Sequence, residues 1–342
     1  MHKKPWHLQR INSAIMGMPP TTILAIIAAW ISVVGLANAT EFTVTSDQVT
    51  IGHVGSYVSR PEDTLLDVAR TNDLGYTELV AANRGVDPWL PGAGTRIIIP
   101  GLHVLPDRPH HGIVIDLAAR RLFYFPPSGD RVETYPIGVG TLNRATPVGT
   151  TRIVRATAAP TWYPPPSIRA EKPGLHAAVP PGPDNPLGGF AFYLSWPQYL
   201  IHGTNRPYGI GRGVSHGCIQ LYPEDMVRLS REVRVGTEVR IVAHESNIVY
   251  VGDQLYALVH PDKIQADAIE NDLDVPTTFP RQLLGQLAAL PNQEMLEIDW
   301  DAVKNAGLNR DGILVPIGKV TVSHDERKNV TGSVSSDRTR IR

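Results

Sequence analysis

The one cysteine of this 342-residue chain, Cys218, ends the run Ser215-His216-Gly217-Cys218, and a second histidine, His202, stands sixteen residues ahead of it in Leu200-Ile201-His202-Gly203-Thr204. A thiol attacks as its thiolate, so a catalytic cysteine needs a base or a positive neighbour within reach. His216 is two residues away: an extended strand would put it on the same side as Cys218, and a turn through Gly217 would send it elsewhere. His202 lies at the distance of a strand-loop-strand return, so it is expected to approach from a neighbouring strand. Gly217 lets the backbone pass close to a substrate, which makes its N–H and that of Cys218 a candidate oxyanion hole. A zinc site built from His202, His216 and Cys218 lacks a carboxylate base at metalloprotease spacing, so neither metal nor cofactor is expected. The bland alternative is a buried cysteine acting as a small hydrophobe.

Strands must carry these residues. Residues 113–117 and 121–125 are apolar or aromatic runs joined by a short polar turn, which predicts a hairpin. Residues 132–139, 150–156, 190–194, 199–202 and 238–243 continue the series, and only residues 224–233 read as a helix, entered through Pro223 and an acidic first turn. A mainly β core over residues 110–245 is expected. Residues 160–166 and 178–189, rich in Pro and Gly, are expected to be ordered flaps beside it, with Trp162 positioned to cover a bound acyl group. The loop 205–214 carries Arg206 and Arg212, candidates for a substrate carboxylate, and Thr204 and Ser215 border the same place.

Ahead of this core, residues 59–72 and 77–83 predict two short helices and residues 95–99 a strand stopped by Pro100. Lys3, Lys4 and Arg10, an apolar run over residues 23–36 and the end Ala37-Asn38-Ala39 have the three-part pattern of a secretory signal peptide at residues 1–39. Export to an oxidising compartment leaves a lone thiol without a structural partner, so its presence asks for a chemical reason. The formal charge of -1 argues against a nucleic-acid partner. With 42% hydrophobic residues the chain can bury ordinary cores, and thirty Gly with thirty Pro favour turns and short strands over bundled helices. Residues 246–324 form a mixed segment of unassigned role: 248–251 and 254–259 alternate like a hairpin, and 280–290 and 299–306 look helical. The polar tail 325–342 is expected to be disordered.

The cluster His202-Gly203-Thr204, the loop 205–214 and Ser215-His216-Gly217-Cys218 resembles the L,D-transpeptidase family, with its YkuD-type catalytic domain, and within it the exported ErfK-like branch. Gly138-x-Gly140, Thr146-Pro147-x-Gly149, Pro160-x-Trp162, Asn185-Pro186-Leu187-Gly188 and Gly209-Ile210-Gly211 support it. Gln220 stands where the family usually has Arg or Asn. Residues 50–100, through Tyr57-Val58, Asp63-Thr64-Leu65, Ala69, Asn72, Leu79, Ala82-Asn83, Pro91-Gly92 and Ile97-Ile99-Pro100, resemble the βααβ LysM domain. The first resemblance implies that Cys218 attacks a stem tetrapeptide of peptidoglycan at the L-centre of its third residue, releasing D-alanine and leaving a thioester. His202 is then the base, and His216 and the Gly203 carbonyl orient the site. The acceptor is an amine, either of another diaminopimelate or of the terminal lysine of an outer-membrane lipoprotein. Hydrolysis of the same thioester is the alternative, as is a wall-binding protein whose catalytic domain is inert. The second resemblance implies glycan-strand binding, and both agree with a periplasmic location.

Overall fold

The structure, a computed structural model, describes residues 40–321. The expected export segment 1–39 and the polar tail 325–342 lie outside the described residues. The chain opens with β1 (Thr40–Thr43), then forms a small unit of β2 (Thr50–Val58), α1 (Leu65–Thr71), α2 (Tyr76–Ala82) and β3 (Arg96–Val104). The Thr64 side chain accepts from the Asp67 N–H and so starts α1 at the acidic run seen in the sequence. Leu65, Val68, Ala69, Leu79 and Ile97 make the unit's own core. One expectation is corrected: β3 does not stop at Pro100 but runs on to Val104. β2 and β3 form a ribbon of two strands only, and where a backbone nitrogen faces the open edge a proline gives up no ladder bond.

The central region comprises β4 (Gly112–Asp116), β5 (Arg121–Phe125), β6 (Arg131–Gly140), β7 (Gly149–Ala158), α3 (Pro166–Glu171), β8 (Phe190–Leu194), β9 (Leu200–His202), β10 (Gly213–Ser215), β11 (Ile219–Leu221), α4 (Pro223–Glu232) and β12 (Glu238–Val242). The order β6-β11-β9-β8-β7-β12-β4-β5 closes on itself because β5 also pairs with β6. Closure leaves one interior to fill. Ile115, Leu122, Tyr135, Ile137, Phe192, Ile201, Ile219 and Leu221 pack there with Met226 and Leu229 of α4. β1 runs antiparallel along β6, Phe42 opposite Val132, so the small unit is inserted between two strands of the main sheet. Ile51 and Leu105, at the root of its ribbon, pack with Val114, Phe123 and Val132.

Beyond the barrel come β13 (Ser246–Val251), β14 (Gln254–Val259), α5 (Lys263–Glu270), α6 (Arg281–Ala288), β15 (Leu296–Ile298), α7 (Trp300–Asn309) and β16 (Val315–Val320). The strands form a separate sheet in the order β13-β14-β16-β15. The expected hairpin and the helices α6 and α7 are present; α5, β15 and β16 are additions that the sequence reading did not contain.

Helix α5 ends in a residue that ties three parts of the molecule together. Buried Glu270 takes Arg120 of the barrel at 2.6 Å, Thr77 of the N-terminal unit at 3.1 Å, and the N–H of Gly213 at 2.7 Å. Gly213 opens β10, the strand that leads into Ser215 and the thiol. A second seam lies beside it: Arg121, 1% exposed, donates to the Asp73 carbonyl at 2.7 Å and to Glu78 at 3.2 Å. Gly75 and Gly211 touch backbone to backbone, where a Cβ on Gly211 would meet the Tyr76 nitrogen at 2.2 Å. Tyr76 and Thr77 donate backbone N–H bonds to the carbonyls of Ile210 and Gly211. The N-terminal unit and the C-terminal segment therefore both grip the loop 205–214.

Candidate active site

His202 and the thiol reach the site from adjacent parallel strands. Ile219 pairs with Ile201 and Gln220 with His202 across β11 and β9. Side chains alternate along a strand, so Cys218, two residues before Gln220, lies on the face that carries His202. The strand spacing puts the two Cα atoms about 8 Å apart. Both side chains, with His216, Trp162, Thr204 and Arg206, border an open cleft of about 1270 Å³.

The His202 ring is buried, and its Nδ1 lies 2.6 Å from the Gly203 carbonyl oxygen. A carbonyl only accepts, so Nδ1 carries the hydrogen and Nε2 is left with a lone pair. Burial lowers the imidazole pKa to about 4, the Gly203 carbonyl opposing the shift. Cys218 is partly buried, and its S–H donates to the Gln198 carbonyl at 3.5 Å. Burial raises this thiol to about 11, a hydrogen bond from the Leu200 backbone holding it back in part. At neutral pH the resting pair is therefore a thiol and a neutral imidazole rather than an ion pair.

The turn between β10 and β11 is held from inside. Ser215 Oγ donates to the Cys218 carbonyl at 2.6 Å and accepts the Gly217 N–H at 3.1 Å. Thr146 Oγ1 donates to the Gly217 carbonyl at 3.0 Å and accepts the Gly140 N–H at 3.1 Å. Gly217 sits at φ +104, and a Cβ there would meet the Tyr199 ring at 2.7 Å. Two expectations are corrected by these bonds. The Gly217 N–H is occupied by Ser215 and is not an open oxyanion donor, and the Ser215 hydroxyl is spent on its own turn rather than turned to a substrate.

The remaining expected residues divide. Thr204 borders the cleft while its hydroxyl accepts the Arg206 N–H at 2.9 Å, and Arg206 itself is exposed there. Arg212 borders the same cleft, with its guanidinium lying over the Tyr76 ring at 4.7 Å and donating to the Glu270 carbonyl. His216 meets Glu171 of α3 at 3.1 Å, and Glu171 also pairs with Arg144. Burial first, then Arg144 and Lys172, lower the His216 pKa, so it too is mostly neutral at pH 7. Trp162 bridges to Val179, and fully buried Asn185 donates to the carbonyls of Pro160, Val179 and Pro180, clamping the two flaps together. Gly188 lets that clamp lie on Gly203 and Thr204, where a Cβ would meet the Thr204 nitrogen at 2.7 Å.

Sequence reasoning did not find Gln198, Tyr199, Glu171 or Arg155 as members of the site. Nothing local marks them: Gln198 acts through its carbonyl, and Glu171 is separated from His216 by 45 residues.

A family model of the L,D-transpeptidase catalytic domain (YkuD) matches residues 110–241. The chain is 34% identical over 300 residues to the probable L,D-transpeptidase YbiS of Escherichia coli K12, covering 85% of this chain and 97% of that one. It is 45% identical over 248 residues to the probable L,D-transpeptidase ErfK/SrfK of the same organism, covering 71% and 78%. Among solved structures, the catalytic domain of the E. faecium L,D-transpeptidase aligns at 21% identity and a TM-score of 0.31, over 39% of this chain and 98% of that one.

Proposed function

From the premise that the chain belongs to the L,D-transpeptidase family, we propose that it is a peptidoglycan L,D-transpeptidase working through a Cys218 thioester. His202 Nε2 takes the thiol proton as Sγ adds to the carbonyl of the L-centre of diaminopimelate in a stem tetrapeptide. The tetrahedral adduct collapses, His202 returns the proton to the leaving nitrogen, and D-alanine departs. An amine then attacks the thioester, giving its proton to His202, and the thiol is restored as the new amide forms. The observation that carries this reading is the Nδ1–H bond to Gly203, which fixes the tautomer that makes Nε2 a base. A neutral thiol beside a neutral imidazole suits proton transfer concerted with attack, because neither partner holds an unpaired charge in a half-buried site.

The flaps clamped by Asn185 cover the acyl group, His216 holds α3 through Glu171, and a neighbouring diaminopimelate or a lipoprotein lysine supplies the amine. The N-terminal unit acts as a LysM module on the glycan strand, and residues 1–39 send the protein to the periplasm. Incubation of purified protein with stem tetrapeptide and an amine acceptor tests the reading. The expected product is the cross-linked mass with one D-alanine released per bond. Tripeptide and D-alanine alone would assign hydrolysis instead.

A further inference from the structure

The row of side chains that contains the thiol continues across the sheet to an arginine with no acidic partner among the described residues. Leu200 pairs with Tyr193 across β9 and β8, and Tyr193 pairs with Arg155 across β8 and β7. Residues paired across a sheet share a face, so Arg155, Tyr193, Leu200 and Cys218 line one side in that order. Three strand spacings put the Arg155 Cα about 14 Å from that of Cys218.

Arg155 reaches this face through an irregularity. Ile153, opposite Leu194, points into the core and is fully buried. Strict alternation would turn residue 155 to the same interior. The register shifts between Ile153 and Arg155, an extra residue that flips the arginine to the cleft side. There its guanidinium stacks on the Tyr193 ring at 3.5 Å, and both residues border the cleft that holds Cys218 and His202. Among the described residues Arg155 has no ion-pair partner, whereas Arg144 of the same cleft is matched by Glu171. Stacking fixes the plane of the guanidinium and leaves its edge free for a two-point contact with a planar anion.

We infer that Arg155, held on Tyr193, is a specificity-determining residue that binds a carboxylate of the acyl donor at the far side of the cleft from the thiol. The inference rests on the transpeptidase reading. The D-alanine carboxylate lies only three bonds from the attacked carbonyl, too near to reach Arg155, which leaves two such groups on the tetrapeptide: the α-carboxylate of its γ-linked D-glutamate and the carboxylate at the D-centre of diaminopimelate. Each is roughly 8 Å along extended bonds from the attacked carbonyl, the length that the row requires once the arginine leans over Tyr193.

Three synthetic tetrapeptides, all with a free D-alanine carboxylate, test it: one with both candidate carboxylates free (the free diacid at these positions), one amidated at D-glutamate and one amidated at the D-centre of diaminopimelate, each assayed for D-alanine release. Arg155→Gln is expected to raise KM on the free diacid about tenfold or more with kcat within about threefold, since a remote anchor supplies uniform binding. On the peptide whose bound carboxylate is amidated, that penalty should shrink to about threefold or less, which identifies the carboxylate. Arg155→Lys should fall between, because an ammonium does not offer the planar fork. Equal penalties on all three peptides, or none on the free diacid, overturn the inference while the transpeptidase reading stands. No D-alanine release by the unmodified protein from any peptide overturns both.

Discussion

The row of side chains that carries the thiol and the seams behind the cleft treat charge in opposite ways. In the seams Arg120, Arg121 and Glu270 are buried and matched across distant parts of the chain. In the cleft Arg155 has no ion-pair partner among the described residues, and the Cys218 thiol and His202 imidazole are neutral at pH 7. Burial explains the division. A carboxylate or guanidinium that is shut in must be satisfied by the protein itself, so it becomes a fastener. A group beside open solvent can be left for a ligand. Changes in the cleft should therefore alter rate with little effect on stability, and changes at the seams should do the reverse.

Cys218→Ala should have the largest effect. No other thiol exists, so intact-mass analysis after treatment with a carbapenem should show an adduct on the parent and none on the variant, with an unchanged melting temperature. A fall in Tm as large as that caused by a seam variant would break the comparison. His202→Ala comes next, with a loss of about 10²-fold or more in acylation, and His216→Ala should cost less because its ring is engaged with Glu171. The acid limb sharpens this. His202 protonates only near pH 4, so the acylation rate should hold from neutrality down toward that value and fall below it, as the acceptor lone pair is lost. Alkylation of Cys218 by iodoacetamide should rise with pH toward about 11, whereas a plateau from pH 6 to 8 would reveal a preformed thiolate.

Glu270→Ala belongs to the other side. Leaving buried Arg120 unmatched should cost about 3–5 kcal/mol of unfolding free energy, read by urea titration. Acylation under native conditions should drop only severalfold, through a loosened Gly213. The smallest effect is expected from Arg70→Ala. Its bond to Glu224 lies at 2.8 Å, but both side chains are more than a third exposed, and such pairs contribute about 0.2–1 kcal/mol.

The barrel strands were legible because each is short, apolar and bounded by turn residues, as residues 113–117 and 121–125 show. The proposed nucleophile and base stood out for a different reason: thiol, histidines and loop glycines all fall within seventeen residues of one another. What stayed hidden depends on distance or on a single inserted residue. Glu270 and Thr77 are 193 residues apart, and no local pattern announces that they will share a buried bond. The register shift that turns Arg155 outward leaves no mark in a strand of mixed residues. The place of Arg212 at the cleft was legible from its loop, but its stacking on Tyr76 and its bond to the end of α5 join segments far apart in the chain and could not be read locally. Nor does any local pattern show that the N-terminal unit is tied to the barrel. Removing residues 41–100 would uncover Arg121 and strip most of β1 from β6.

That insertion has a mechanical consequence. A module joined by one linker swivels freely, and a pull on it travels through a single strand of chain. This one has two covalent leads, β1 on one side and β4 on the other, both laced into the same barrel. Tension applied to it is divided between them and resisted by rows of backbone hydrogen bonds. Twisting is resisted as well, because two leads cannot turn about one axis. A unit built in this way keeps a fixed bearing to the cleft, so any glycan strand bound to it, on the function proposed above, would be presented to the thiol at a set angle.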